Sequence, residues 1–340
     1  MPRLFEGVSA NDVWQQVAAA LLNEEQASAQ DSRLGSTREF LHTVVTIQDP
    51  RRRWVGARSP GINPAFAIAE VFWILSGSDS AIDINFWNPA LPRFAGNSEK
   101  YHGAYGNRLR NSFGFDQLDA AYKALLENPL SRQVVLQIWN ASTDFPRENG
   151  RPAAPDIPCN ICSLLKLRNG RLEWVQILRS NDIFRGTPYN IVQFTMIQEI
   201  MSGWLGCDVG EYTQYCDSMH LYESDVEVFS VEKNLEGMAD VAESLALPIT
   251  ESKLVITEMI SSLNRMTTTE LTEHSLNEIV LGNLLPPAYK NLLCIAAADC
   301  ARRRGWLTLM DRVAGECTNR TLARAWEKWK TSKVEKTDSP

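Results

Sequence analysis

Apolar positions recur along this chain at two spacings, and they divide it into helical and extended segments. Over residues 11–24, Val13, Trp14, Val17, Ala20 and Leu21 fall on one side of a 3.6-residue period, with Asn11 as the predicted cap. Residues 64–75 are almost wholly apolar; Pro64 suits a first helical turn, Ser76-Gly77 predicts the stop, and Glu70 alone interrupts the pattern with a charge. Further helices are predicted over 116–127 and 189–205. Residues 39–47, 132–139, 161–167, 171–179 and 210–220 read as extended, and Asn169-Gly170 between two of these runs is a hairpin signal. Residues 140–158 read as a loop leading to Cys159. Beyond Ser224 the pattern is mostly helical, including 289–303 and 321–330. Strands mixed with helices predict a layered α/β fold.

Composition narrows the class. With 340 residues and 44% hydrophobic content, the chain can bury a sizeable core. The net charge of −7 argues against a polymer-binding surface that works by counterion release, so no nucleic-acid polymer is an expected partner. Clusters such as Arg51-Arg52-Arg53 and Arg302-Arg303-Arg304 read as solvated surface. No apolar run approaches a membrane span and no signal-peptide pattern is evident. Seven scattered cysteines suit a reducing compartment. These features predict a cytoplasmic protein, with no membrane partner. No low-complexity linker or internal repeat divides it.

The polar chemistry concentrates in one stretch. Asp156-Ile157-Pro158-Cys159 is followed by Arg179-Ser180-Asn181-Asp182, then Gly186-Thr187-Pro188-Tyr189-Asn190, then His220-Leu221-Tyr222. A thiol becomes a nucleophile once it ionises, and a nearby guanidinium such as Arg179 favours the thiolate. Asparagine offers a donor and an acceptor side by side, which matches the edge of an amide-like ring. A flat anionic substrate attacked by sulfur fits this set. Cys159 and Cys162 also form a C-x-x-C pair, but no second pair or histidine pair completes a zinc site, so no metal is expected. Glu70 is either turned to solvent or held where a carboxylate in apolar surroundings is useful.

This order and spacing resemble the thymidylate synthase superfamily, which includes the pyrimidine-nucleotide hydroxymethylases, over roughly residues 30–230. The resemblance implies a large twisted mixed β-sheet flanked by helices in a single domain over 1–340. Its catalytic core would span about 30–230 and a helical C-terminal extension about 231–340. It also implies a homodimer packed sheet to sheet. The cosubstrate would be 5,10-methylenetetrahydrofolate and the substrate a pyrimidine nucleoside monophosphate. Cys159 would attack C6 of the base, Glu70 and Tyr105 would organise water and proton transfer, and Arg179 would support both thiolate and phosphate. Arg33 resembles the arginine of a mobile phosphate loop, and Arg132 one that reaches the phosphate across the dimer, with Gln133 where a second arginine is common. Ser180, His220 and Tyr222 would contact phosphate or sugar, Asp182 the pterin, and Trp87 would shield the one-carbon intermediate. Asn190 favours uracil, since relatives acting on cytosine place an acid there.

Three departures favour water over hydride as the final reactant, giving a hydroxymethyl product. Asn160 follows the nucleophile where the synthases commonly have histidine, the chain ends in a charged helical extension, and the segment 87–102 is lengthened. Thymidylate synthase, a cytidylate hydroxymethylase and a catalytically silent nucleotide-binding homologue remain the alternatives.

Overall fold

The computed structural model describes residues 2–23, 27–32, 35–232 and 243–337, with side chains described through residue 332; Arg33 lies outside the described residues. The strands are β1 (Arg3–Gly7), β2 (Ser28–Ser32), β3 (Gly35–Ile47), β4 (Arg58–Ser59), β5 (Val135–Gln137), β6 (Asn160–Arg168), β7 (Arg171–Asp182), β8 (Asp208–Tyr222) and β9 (Ser230–Val231). The first eight helices are α1 (Ala10–Leu22), α2 (Pro64–Ser76), α3 (Ala81–Asn85), α4 (Pro92–Ala95), α5 (Tyr105–Arg110), α6 (Gln117–Glu127), α7 (Ala141–Asp144) and α8 (Thr187–Leu205). Five more follow: α9 (Ile249–Thr267), α10 (Glu273–Leu281), α11 (Pro287–Arg303), α12 (Leu307–Gly315) and α13 (Arg320–Thr337).

Seven strands make one mixed sheet in the order β1-β3-β8-β7-β6-β5, with β2 paired to β3; β4 and β9 form a separate ladder. Strand β8 runs antiparallel to β3 and parallel to β7, and the β6–β7 hairpin turns through Asn169 and Gly170, both at positive φ. That is the backbone an Asn-Gly hairpin turn requires. Along β7 burial alternates, with Leu172, Trp174, Gln176 and Leu178 inward and Val175 and Ile177 only half-buried on the opposite face. Helices α1, α6 and α8 cover the inner face, and α2, α9 and α11 pack outside them.

Two helices at the centre explain where the site sits. Asn63 caps α2 by accepting from the backbone N–H groups of Ala65 and Phe66, Pro64 occupies its first turn, and Gly77 ends it at φ 75°. Most of α2 and α8 is buried, so neither carries a solvent-facing polar stripe; α2 is nearly all apolar, whereas α8 buries polar side chains such as Asn190, Gln193 and Glu199. Glu199 of α8 is ion-paired with Arg53 and accepts from Leu245 N at 3.1 Å. The helices beyond residue 243 thereby join the same body as the sheet: Arg303 donates to Trp87 O and Lys328 to Gly56 O. No helix among the described residues is long and apolar enough to cross a membrane.

Several predicted boundaries move. Ser9, not Asn11, caps α1, because its hydroxyl accepts from Asp12 N while Asp12 returns a bond to Ser9 N. The extended run predicted over 132–139 shrinks to Val135–Gln137, since the N–H groups of Ile138 and Trp139 both turn to Ile161 O and Asn140 caps α7. Cys162 is half-buried beside a register shift in β6.

Candidate active site

A cavity of about 740 Å³ opens between α2, the start of α8, the ends of β7 and β8, and the loop before β6. Cys159 sits on its wall one residue before β6. The Arg179 side chain, projecting from β7, donates to Pro158 O at 2.9 Å and Ile157 O at 3.0 Å, and one of its nitrogens lies 3.8 Å from Cys159 Sγ. The guanidinium therefore pins the loop and charges the surroundings of the sulfur together. Burial still pushes the Cys159 thiol above its ordinary pKa; Arg179 pulls the other way, and Asp156 and Asp182 add to the rise. The expected activation by arginine is present in direction, but desolvation outweighs it.

Burial pushes the Glu70 carboxyl up to about 7, against a hydrogen bond with Gln193 that favours ionisation. Its Oε2 has no partner. Turning to solvent is excluded: Glu70 faces the cavity. Tyr105, at the first position of α5, is held by Asn160 and its phenol is pushed well up by burial. Asn190, on the first turns of α8, donates to Asn181 Oδ1 at 3.0 Å and accepts from Asn160 Nδ2 at 3.3 Å. Asp182 closes β7: its Oδ1 accepts from Phe184 N and Arg185 N, both at 2.7 Å, while buried Oδ2 has no partner and burial raises the carboxyl. Ser180 Oγ lies 3.4 Å from His220 Nδ1, and the His220 and Tyr222 rings meet edge to face at 5.3 Å.

Nine of the twelve residues singled out in the sequence line this one cavity: Glu70, Tyr105, Cys159, Arg179, Ser180, Asp182, Asn190, His220 and Tyr222. Trp87 does not. It is 2% exposed, set edge-on to Phe86, and it lines a neighbouring cavity of about 560 Å³. Trp73 faces the main cavity instead, one turn beyond Glu70 on α2. Arg132 is exposed and lines neither cavity. Sequence reading also passed over the roles of Tyr101, Asp156 and Gln193 in lining the cavity. Helical spacing could have found two of these residues, since Trp73 and Gln193 stand three positions after Glu70 and Asn190. Asp156 accepts from Gly103 N at 2.9 Å, and a Cβ on Gly103 would meet that carboxylate at 3.0 Å, so the close approach needs glycine. Burial raises the Asp156 carboxyl.

The smaller cavity shares Arg58, Phe66, Asn88, Tyr189 and Phe229 with the larger one. Arg302, Arg303 and Trp329 wall its far side. Buried Asp299 anchors both of those arginines, at 2.9 Å and 2.7 Å.

A mixed sheet whose hairpin and neighbouring helix bring a thiol, a guanidinium and an amide to one cavity defines a thymidylate synthase-like protein. A thymidylate synthase family profile matches residues 61–272, and the chain belongs to that family. A deoxyuridylate hydroxymethyltransferase of Bacillus phage SP01 is 32% identical over 232 residues, covering 65% of this chain and 59% of the phage protein. Another of that name from Pseudomonas phage M6 is 31% identical over 223 residues, covering 65% and 60%. A thymidylate synthase of Francisella philomiragia is 27% identical over 186 residues, covering 50% and 66%. The chain thus spans about three fifths of the length of the two phage relatives.

Proposed function

We propose that this protein transfers a one-carbon unit to C5 of a pyrimidine nucleoside monophosphate, with uracil as the base, and finishes by adding water to give a 5-hydroxymethyl product. The observation that carries the transfer is the meeting of Cys159 Sγ and the Arg179 guanidinium at 3.8 Å in a cavity that also holds Glu70, Tyr105 and Asn190. Sulfur adds to C6 and gives up its proton, which makes C5 a carbon nucleophile. Arg179 neutralises charge beside the sulfur and, with Ser180, meets the phosphate. His220 and Tyr222 face the sugar. Asn190 presents its donor and acceptor to O4 and N3–H of uracil. Once C5 carries the one-carbon unit it loses its proton while the folate amine would depart as tetrahydrofolate, which leaves an exocyclic methylene; water adds to that carbon, and the sulfur leaves C6 to restore the ring double bond.

The residues present fit methylenetetrahydrofolate as cosubstrate, because Asp182 keeps a buried oxygen without a partner where a pterin offers N–H donors. That molecule would supply the one-carbon unit at the oxidation level of formaldehyde. Three observations support the water branch over hydride transfer. Asn160 replaces the histidine common after the nucleophile, Asp156 sets a second carboxyl on the cavity beside the thiol, and both phage relatives bear hydroxymethyltransferase names.

Incubation with methylenetetrahydrofolate and dUMP, followed by mass spectrometry, tests this reading. A 5-hydroxymethyl nucleotide is expected, with turnover lowered on the order of a thousandfold or more in Cys159→Ala. A methyl product with dihydrofolate would make the protein a divergent thymidylate synthase. Bound nucleotide without any product would make it a silent homologue.

A further inference from the structure

We propose that Trp174, Gln176 and Asn160 form a polarity relay that locks the Asn190 amide in one of its two orientations, and that this relay sets which pyrimidine the site accepts. The proposal rests on the reading of Asn190 as the residue facing the base. An amide side chain has nearly the same shape when its oxygen and nitrogen are exchanged, so only its neighbours decide which way it points.

Here the neighbours decide it completely. An indole N–H donates and never accepts, so the Gln176 atom 3.1 Å from Trp174 Nε1 is oxygen. Ser163 Oγ donates to the same oxygen at 2.6 Å. The nitrogen of Gln176 then donates to Asn160 Oδ1 at 2.9 Å, which leaves Asn160 Nδ2 to donate to Asn190 Oδ1 at 3.3 Å. Asn190 Nδ2 in turn donates to Asn181 Oδ1 at 3.0 Å, and the series ends at Asn181 Nδ2, buried with no partner. Trp174, Gln176, Ser163 and Asn160 are buried and do not line the cavity, so bulk water does not stand in for them; Asn190 and Asn181 reach its wall. One donor-only group at Trp174 thereby fixes the polarity of four amides in succession. Reversing Asn190 would set its –NH2 against that of Asn160 and its carbonyl against that of Asn181.

The relay consumes one lone pair and one N–H of Asn190 and leaves one of each. One order of these matches N3–H and O4 of uracil and the reverse order matches N3 and the 4-amino group of cytosine, so a locked amide admits one base and opposes the other. Asn190 by its residue type permits both. Asn160, Gln176 and Trp174 are therefore positioning residues for base choice. Asn160 acquires a specific task at the position where the family commonly has histidine.

Two substitutions break the relay without touching Asn190. In Asn160→Asp, the carboxylate still accepts from Gln176 but cannot donate, so Asn190 turns its –NH2 toward position 160. In Gln176→Met, Asn160 loses the donor that orients it. The readout is the ratio of dUMP to dCMP affinity, measured by calorimetry on the full chain. The unmodified protein is expected to favour dUMP, and both variants to lower that ratio about tenfold or more. An unchanged ratio in folded variants would overturn the relay, since general damage to the site weakens both nucleotides alike. A protein that favours dCMP would sink the uracil reading alone; the relay then stands or falls on whether that preference collapses. The unmodified protein gives a ligand-free readout by NMR. Slow solvent exchange of the side-chain amide protons of Gln176, Asn160 and Asn190 is expected, and exchange as fast as at a surface amide would refute the relay.

Discussion

Glu70, the single acidic residue of α2, reaches the cavity with its carboxyl raised from 4.5 to about 7 by burial. Between those two values the folded protein holds a proton that the unfolded chain has released. Stability therefore falls as pH rises through that window, and above it the ionised carboxylate costs up to about 3 kcal/mol. Glu70→Gln removes this term. The variant should lose less thermal stability than the parent between about pH 5 and pH 8 in paired melting curves. Its kcat should also lose the rising limb near pH 7 that the parent shows if the ionised form handles the proton. A parent profile flat through neutrality would remove Glu70 from the chemistry. Residue types at fixed order were legible in the sequence because each has a chemistry of its own: a thiol, a guanidinium, an acid in an apolar run. The balance at Cys159 was not, because desolvation depends on what the fold packs around the sulfur. The cavity-lining roles of Asp156, quoted in the sequence only as part of its motif, and of Gln193 were missed for the same reason, and Trp87 was misplaced because any of several tryptophans near α2 could have faced the cavity.

Helices α2 and α8 were found nearly to the residue, since Asn63-Pro64, Gly77 and Gly206 are local stops and starts that tertiary packing does not overrule. The short strand β5 was overextended, because strand length is set by the partner: β6 offers β5 only three pairs. Strand β1 was not predicted at all; its five residues find their place only through parallel pairing with β3. The tie between α8 and the segment before α9 is a nonlocal feature of the same kind. Glu199 there gathers the Arg53 guanidinium, Ser244 Oγ and Leu245 N. Glu199→Ala leaves a buried guanidinium without its carboxylate. A loss of about 3–5 kcal/mol in urea unfolding is expected. A loss under about 1 kcal/mol would mean that water or a neighbouring acid replaces the pair.

On the face of the sheet away from the helices, Val44, Ile161, Leu164, Val175, Ile177 and Tyr215 are half-buried, an apolar strip suited to a second copy of the chain. We propose that Arg132, which is exposed and lines neither cavity of its own chain, serves the site of its partner. Two inactive variants test this together. Cys159→Ala and Arg132→Ala, mixed under subunit exchange, should recover roughly a quarter of parental activity, because half the dimers become mixed and each has one intact site. No recovery in demonstrably mixed dimers would mean that Arg132 serves its own chain's site and not its partner's. The far side of the second cavity comes from helices α11 and α13, which are tied to the first third of the chain by contacts of long span. Arg303 meets Trp87 across 216 positions and Lys328 meets Gly56 across 272, whereas the hairpin carrying Cys162 and Arg179 closes over a two-residue turn. Loops of that span are costly to close before their contacts reward the closure. The arginine-walled cavity is thus expected to be completed after the hairpin, once the distant helices arrive, with the contacts of Arg303 and Lys328 forming later than those of the β6–β7 turn.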